Sequence, residues 1–192
     1  MLGRERREER REERHDGPAA AGPGPAAGGG ANRYQMRQKM LSIGDDFWIE
    51  NERGEKVYKV DGKALRVRST LIFEDRNGQK LCQIQEKMAR VRDTMDIEGP
   101  GGKTIATVKK AMITPLRERF TLNLQGGPDI EMQGNILDHE YTFQQGGRKV
   151  AETSKKWFRL RDSYGVEIEP GQNDILILAA TVAIDMISNP AR

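Results

Sequence analysis

Residues 174–187, DILILAATVAIDMI, constrain the fold of this chain more than any other stretch. As a helix, Ile175, Leu176, Ile177, Leu178, Val182, Ile184, Met186 and Ile187 point in nearly every direction. Only a narrow stripe of Thr181, Asp185 and Ser188 is polar. A helix that is apolar all round has to be buried, in protein or in lipid. Crossing a bilayer takes roughly 20 residues, so this stretch is too short and no transmembrane segment is expected. Burying each large apolar side chain is worth about 1.5–3 kcal/mol, so the rest of the fold should be a container for the helix. Asn173 or Asp174 can cap its start and Asn189-Pro190 stops it, which places the buried helix at 174–188. Asp185 then lies on a buried face near the helix C-terminus, where the macrodipole disfavours an acid. It should find an Arg, a Lys or a Tyr hydroxyl on the container wall, or open to solvent at its mouth.

Everything between residue 33 and this helix reads as short strands. Candidates lie at 34–40, 46–50, 56–60, 70–74, 81–86, 90–97, 104–112, 119–124, 130–133, 140–144, 149–154, 157–161 and 166–168. They are punctuated by Arg53-Gly54, Asp61-Gly62, Asn77-Gly78, the glycine-rich 99–102 and 126–128, Gly146-Gly147 and Gly165. Asn-Gly and Asp-Gly supply the positive φ angles of tight hairpins. Runs such as 120–124, FTLNL, alternate apolar and polar residues as a strand with one buried face does. Many short antiparallel strands must close on themselves to hide their edges. The expected fold is mainly β: a closed antiparallel barrel of about 12 strands with the C-terminal helix in its lumen.

The strands are duplicated. Residues 79–98 and 148–167 align without a gap at an offset of 69. Lys80, Lys87, Arg90, Arg92, Asp93 and Glu98 recur as Lys149, Lys156, Arg159, Arg161, Asp162 and Glu167. Leu81/Val150, Val91/Leu160, Thr94/Ser163 and Ile97/Val166 are conservative pairs, and Phe73 matches Phe143 once one residue is skipped. Two related sheet halves are therefore expected in one closed domain. If the matched stretches are strands, Ala89 and Val91 share a face of theirs, as Phe158 and Leu160 do of theirs. Arg90/Arg92 and Arg159/Arg161 then point outward, and Arg66/Arg68 form a third pair of the same spacing.

The first 32 residues are of a different kind. Six Arg and six acidic residues alternate through 1–16, and 17–32 is built from Gly, Ala, Pro and a single Asn. Nothing there can offset ordering entropy, so 1–32 is read as a disordered tail and 33–192 as the folded domain. The tail is charge-neutral, so the net charge of +3 belongs to the domain. There is no apolar leader, and the single cysteine, Cys82, permits no internal disulfide. A cytoplasmic location is expected, with peripheral membrane association as its variant.

Signatures of enzymes and metal sites fail on inspection. Residues 101–104, GGKT, lack the earlier glycine of a phosphate loop, because Ile97 occupies that position, and a strand follows where a helix is required. His15 lies in the tail, leaving one His, His139, and one Cys, Cys82, which support neither a zinc cluster nor a Cys–His dyad. Cys82 aligns with Ala151 in the repeat, which marks it as a small core residue. No catalytic residue, cofactor or metal is expected. Aromatic residues are not interleaved with the basic ones, so nucleic acid is not an expected partner.

From residue 33 to 189 the chain resembles the LURP-one-related (LOR) family. The resemblance is carried by 59–63 (KVDGK), 70–78 (TLIFEDRNG), 107–110 (TVKK), 131–134 (EMQG) and 166–171 (VEIEPG) in that order. It implies the tubby-like fold shared with tubby proteins and, distantly, with phospholipid scramblases: a barrel around a C-terminal helix. Residues 162–166, DSYGV, match the centre of the scramblase calcium segment, but Leu160 replaces its first acid, and calcium demands six to eight oxygens. The relatives imply association with membrane lipid. The candidates for an anionic ligand are Arg90, Arg92, Arg159 and Arg161, with Lys109, Lys110, Lys155 and Lys156. The first expectation is a non-enzymatic barrel that binds anionic membrane lipid peripherally. The alternatives are a regulatory protein-interaction module with an unidentified partner and, third, scramblase-like lipid transfer.

Overall fold

The computed structural model describes residues 30–37, 46–62, 70–86, 93–111, 118–157 and 163–189. Twelve strands form one closed antiparallel barrel: β1 (Asn32–Arg37), β2 (Phe47–Asn51), β3 (Lys56–Gly62), β4 (Thr70–Asp75), β5 (Lys80–Glu86), β6 (Thr94–Glu98), β7 (Thr104–Lys110), β8 (Glu118–Leu124), β9 (Ile130–Asn135), β10 (Glu140–Gln145), β11 (Arg148–Ser154) and β12 (Ser163–Ile168). Each pairs with its neighbours in the chain, and β1 closes the ring on β12 over six register pairs. Barrels of eight strands can be filled by side chains alone, whereas wider ones need something in the lumen. Here that is α1 (Asp174–Ser188).

The helix begins where the sequence says it should. The side chain of Asn173 accepts a hydrogen bond from the Leu176 amide, and Asn189 forms the C-terminal cap. Ile177, Leu178, Val182 and Ile184 are buried, with Ala179, Ala180 and Ala183 among them. The small residues let the helix approach the wall. Inward strand positions such as Ile49, Val60, Phe73, Ile84, Ile97, Val108, Leu122, Met132, Phe143 and Val166 complete one continuous core.

The duplication is visible as a pseudo-twofold arrangement. β4–β6 and β10–β12 are the two copies, six strands apart in a ring of twelve and so on opposite sides of it. Phe73 pairs with Cys82 and Phe143 with Ala151, and the ladder slips by one residue at the next position in both copies. The extra residue is Leu81 in one copy and Val150 in the other. A bulge at the same place in both halves bends both walls alike.

Three local expectations change. Asp61-Gly62 is not a turn: both residues stay in β3, paired with Ile72 and Leu71 of β4. Gly165 likewise sits inside β12, paired with Gln35 and Ser154. In both cases a neighbouring strand extends the ladder past a residue that would otherwise break it. Of the strand expected at 157–161, Trp157 instead ends a 3-10 turn, Lys155–Trp157, and 158–161 lie outside the described residues. Residues 1–29 of the tail, the segment with Arg66/Arg68, and the faces assigned to Ala89, Val91, Phe158 and Leu160 lie outside the described residues, and Asn32, read as the last residue of the tail, opens β1 opposite Ile168. Residues 99–103 make the hairpin turn expected of them, with Gly102 N donating to Gly99 O at 2.9 Å. Among the described residues no helix is long and apolar enough to cross a membrane.

Gly134 is the tightest point in the wall. Its φ is 149°, and a Cβ there would stand 2.4 Å from Glu140 O and 2.6 Å from Tyr141 Cα. Gly134→Ala is therefore expected to lower unfolding free energy by about 3 kcal/mol in a denaturant titration. Gly127→Ala, where the nearest atom is 3.7 Å away and belongs to a leucine side chain, should be nearly neutral.

Candidate functional site

Because the strands alternate in direction, every connection belongs to one of two ends, and the ends differ. At one end the strands are joined by turns of two to five residues, and the helix enters there. At the other, the connections after β1, β3, β5, β7, β9 and β11 run from four to nine residues, and the helix C-terminus emerges. In sequence, these longer connections carry twelve Lys and Arg against five Asp, whereas the short turns and 169–173 carry three basic residues against four acids. Read along the sequence, the basic residues are thus concentrated in the connections that follow the odd-numbered strands, most of them outside the described residues. No inspection of composition finds this, because it needs the strand directions.

Of the sequence candidates, the four lysines are described and lie at this end. Arg90, Arg92, Arg159 and Arg161 lie in its connections and outside the described residues. Lys109 and Lys110 close β7, and Lys155 and Lys156 follow β11. The two lysine pairs are four strands apart, about 19 Å along the sheet at ~4.8 Å per strand, so they do not form one cluster. Their surroundings also differ. Lys110 is half-buried, 2.8 Å from Glu118 Oε1 and 5.7 Å above the Phe120 ring, which commits it to the barrel. Lys155 Nζ is 3.4 Å from Asp138 Oδ1. Lys156 Nζ is 3.8 Å from Glu140 Oε2, with 83% of its side chain exposed. Lys109 is exposed and has no ion-pair partner among the described residues. Of the four, Lys109 has no ion pair among the described residues, and Lys156 keeps most of its side chain exposed beside Glu140.

Beneath this end lies a buried polar group. The Tyr164 hydroxyl donates to Asp185 Oδ2 at 2.7 Å, which supplies the partner expected for Asp185. Burial, and then the Asp185 charge, hold the Tyr164 hydroxyl well above the ordinary tyrosine value, so it remains a donor. The His139 ring stacks on Tyr164, with centroids 4.0 Å apart and planes within 9°. Its Nδ1 is 3.4 Å from Asp185 Oδ1 but not aligned to donate. Sequence reasoning placed His139 at a strand edge and missed this. The signal is its φ of 52°, which no pattern of residue types exposes. The other end repeats the device: the Tyr34 hydroxyl and Asn32 Nδ2 donate to Asp174 Oδ2 at 2.5 and 2.8 Å. Thr181, the third polar residue along the helix, donates to its own backbone at Ile177 O.

Cys82 is buried on the lumen side of β5, and burial pushes its thiol up to about 12, so it is inert as a nucleophile. Among the described residues no three His, Cys, Asp or Glu side chains are grouped so as to hold a metal ion.

Comparison with known proteins bears on this architecture. The family model described as LURP-one-related matches residues 32–185. An X-ray structure of a protein from Arabidopsis thaliana is similar with a TM-score of 0.59 at 16% identity, covering 83% of this chain and 91% of that one. At such identity the likeness concerns the fold alone. A search of curated proteins gives no match.

The two tyrosine–aspartate contacts should differ in weight. Tyr164→Phe strands a buried carboxylate oxygen and should cost about 2 kcal/mol of stability. Tyr34→Phe leaves Asn32 on Asp174 and should cost less. Urea titrations of the two variants check the order, and a larger loss at Tyr34 would contradict it.

Proposed function

The chain belongs to the LURP-one-related family, and from that premise we propose that it is a non-enzymatic barrel that binds anionic membrane lipid peripherally through its basic end. What supports this reading is that, in sequence, twelve basic residues fall in the connections after β1, β3, β5, β7 and β11, most of them outside the described residues. The lumen is filled by the helix, which leaves the outer surface for a ligand. Near an anionic leaflet each basic residue contributes roughly 1 kcal/mol, and the contribution fades within a Debye length. A rim that brings many of them to one plane engages such a surface; the same charges spread over the wall would not. Arg90, Arg92, Arg159 and Arg161, with Lys109 and Lys156, are the proposed contacts. Lys110 and Lys155 support them from their ion pairs with Glu118 and Asp138. The strands that flank the two Arg-x-Arg segments, β5 and β6 in one copy and β11 and β12 in the other, lie on opposite sides of the ring.

A regulatory protein-interaction module is the second reading. It is favoured by the carboxylates that already offset Lys110, Lys155 and Lys156. Scramblase-like lipid transfer ranks below both, since it requires the helix to leave the lumen with Asp174 and Asp185 aboard.

Flotation of the full chain with vesicles decides between the first two. Binding is expected to vesicles containing phosphatidylserine at low salt, to weaken steeply between 50 and 300 mM salt, and to be lost on neutral vesicles. Replacing Arg90, Arg92, Arg159 and Arg161 together by Ala should abolish it with the melting temperature unchanged. Absence of binding at low salt would end the lipid reading. Retained binding by the fourfold variant would move the site elsewhere.

A further inference from the structure

Leu137 is one of two large hydrophobic residues exposed among the described residues, at 63%, and the other, Ile105, lies at the opposite end of the barrel. A single exposed leucine is ordinarily without meaning. This one is held out of the core by the turn that carries it. The β9–β10 connection, 136–139, buries its first and last residues, Ile136 and His139, and presents Leu137 and Asp138. Asn135 clasps the turn from both sides: its Nδ2 donates to Asp138 Oδ2 at 2.7 Å, and Asp138 N donates to its Oδ1 at 3.2 Å. His139 N donates to Ile136 O at 3.0 Å. His139 takes a left-handed backbone conformation so that its ring can lie on Tyr164 beside Asp185. The apolar tip thus stands on a buried foot whose ring stacks on Tyr164, the residue that is hydrogen-bonded to the central helix.

Lysines lie near the turn. Lys155 pairs with Asp138, the neighbour of Leu137, and Lys156, with 83% of its side chain exposed, stands 3.8 Å from Glu140 Oε2 at the start of β10. An exposed apolar side chain on a clamped turn with lysines nearby suits an anionic bilayer, where headgroups meet the charges and acyl chains take the apolar group. We propose that the β9–β10 turn is an insertion point on an anionic lipid surface, with Leu137 as the side chain that enters the acyl region. This rests on the lipid-binding reading above and adds to it a defined point of penetration, which attraction by charge alone does not require.

The test uses the full chain. Cys82 is buried, so in Leu137→Cys an environment-sensitive thiol dye attaches at position 137. A control variant, Gln125→Cys, carries the dye on the turn between β8 and β9 at the other end. With vesicles containing phosphatidylserine, the dye at 137 should shift to the blue and be quenched by a quencher on the lipid chains, while the dye at 125 should not respond. Leu137→Asp should weaken flotation about tenfold at an unchanged melting temperature. If the unmodified chain floats but the dye at 137 behaves as at 125 and Leu137→Asp binds normally, insertion is overturned and the lipid reading survives. If the unmodified chain does not float, both fall. A Leu137→Asp defect with no response of the dye to vesicles would also overturn insertion, pointing to a protein contact at the tip.

Discussion

The structure depends on how two carboxylates on an otherwise apolar helix are accommodated inside a barrel. An unpaired buried charge is costly, and removing its partner leaves that cost uncompensated. Asp174 and Asp185 sit near opposite ends of α1, and each accepts a hydrogen bond from a tyrosine on the wall, Tyr34 or Tyr164. The two tyrosines belong to β1 and β12, the strands whose pairing closes the ring. Seating the helix and closing the barrel are therefore one event. The contacts also fix the direction of the helix and its depth, which apolar packing alone leaves free. Apolar burial supplies the driving force; the two acids supply the register.

Much of this was legible in the chain because its signals are local. An apolar run too short for a membrane, an Asn at the cap and an Asn-Pro stop define the helix within a residue. The repeat could be read from six identities because both halves also keep the same buried phase, down to matching bulges at Leu81 and Val150. What was not legible depends on partners distant in sequence. Asp61-Gly62 has turn chemistry, yet β4 holds it in a ladder. His139 looks like an edge residue until its backbone turns left-handed and brings it to Tyr164. The acid's need for a donor could be stated in advance, but the identity of the tyrosine required the fold.

The candidate site was legible residue by residue and illegible as a surface. Arg-x-Arg pairs and Lys-Lys pairs can be read directly, but their common placement follows from the alternation of strand direction. A meander barrel sorts its connections strictly between two ends, so charges far apart in sequence collect on one rim. The duplication repeats the basic segment of the sequence between β5 and β6 in the one between β11 and β12. The same division explains the short turns at the other end: they close hairpins, whereas the longer connections carry the charge. A filled lumen, a closed ring without free edges and a polarised pair of ends leave the rim as the part of the molecule open to specialisation.

Native-state hydrogen exchange resolved along the chain tests the central claim most directly. If α1 is the core that closure depends on, the amides of Ile177 to Ile184 exchange only through global unfolding. Their protection then matches that of the slowest strand amides and falls with global stability in step with theirs. Faster exchange of the helix while the strands stay protected would mean that the barrel stands without it, and would contradict the account.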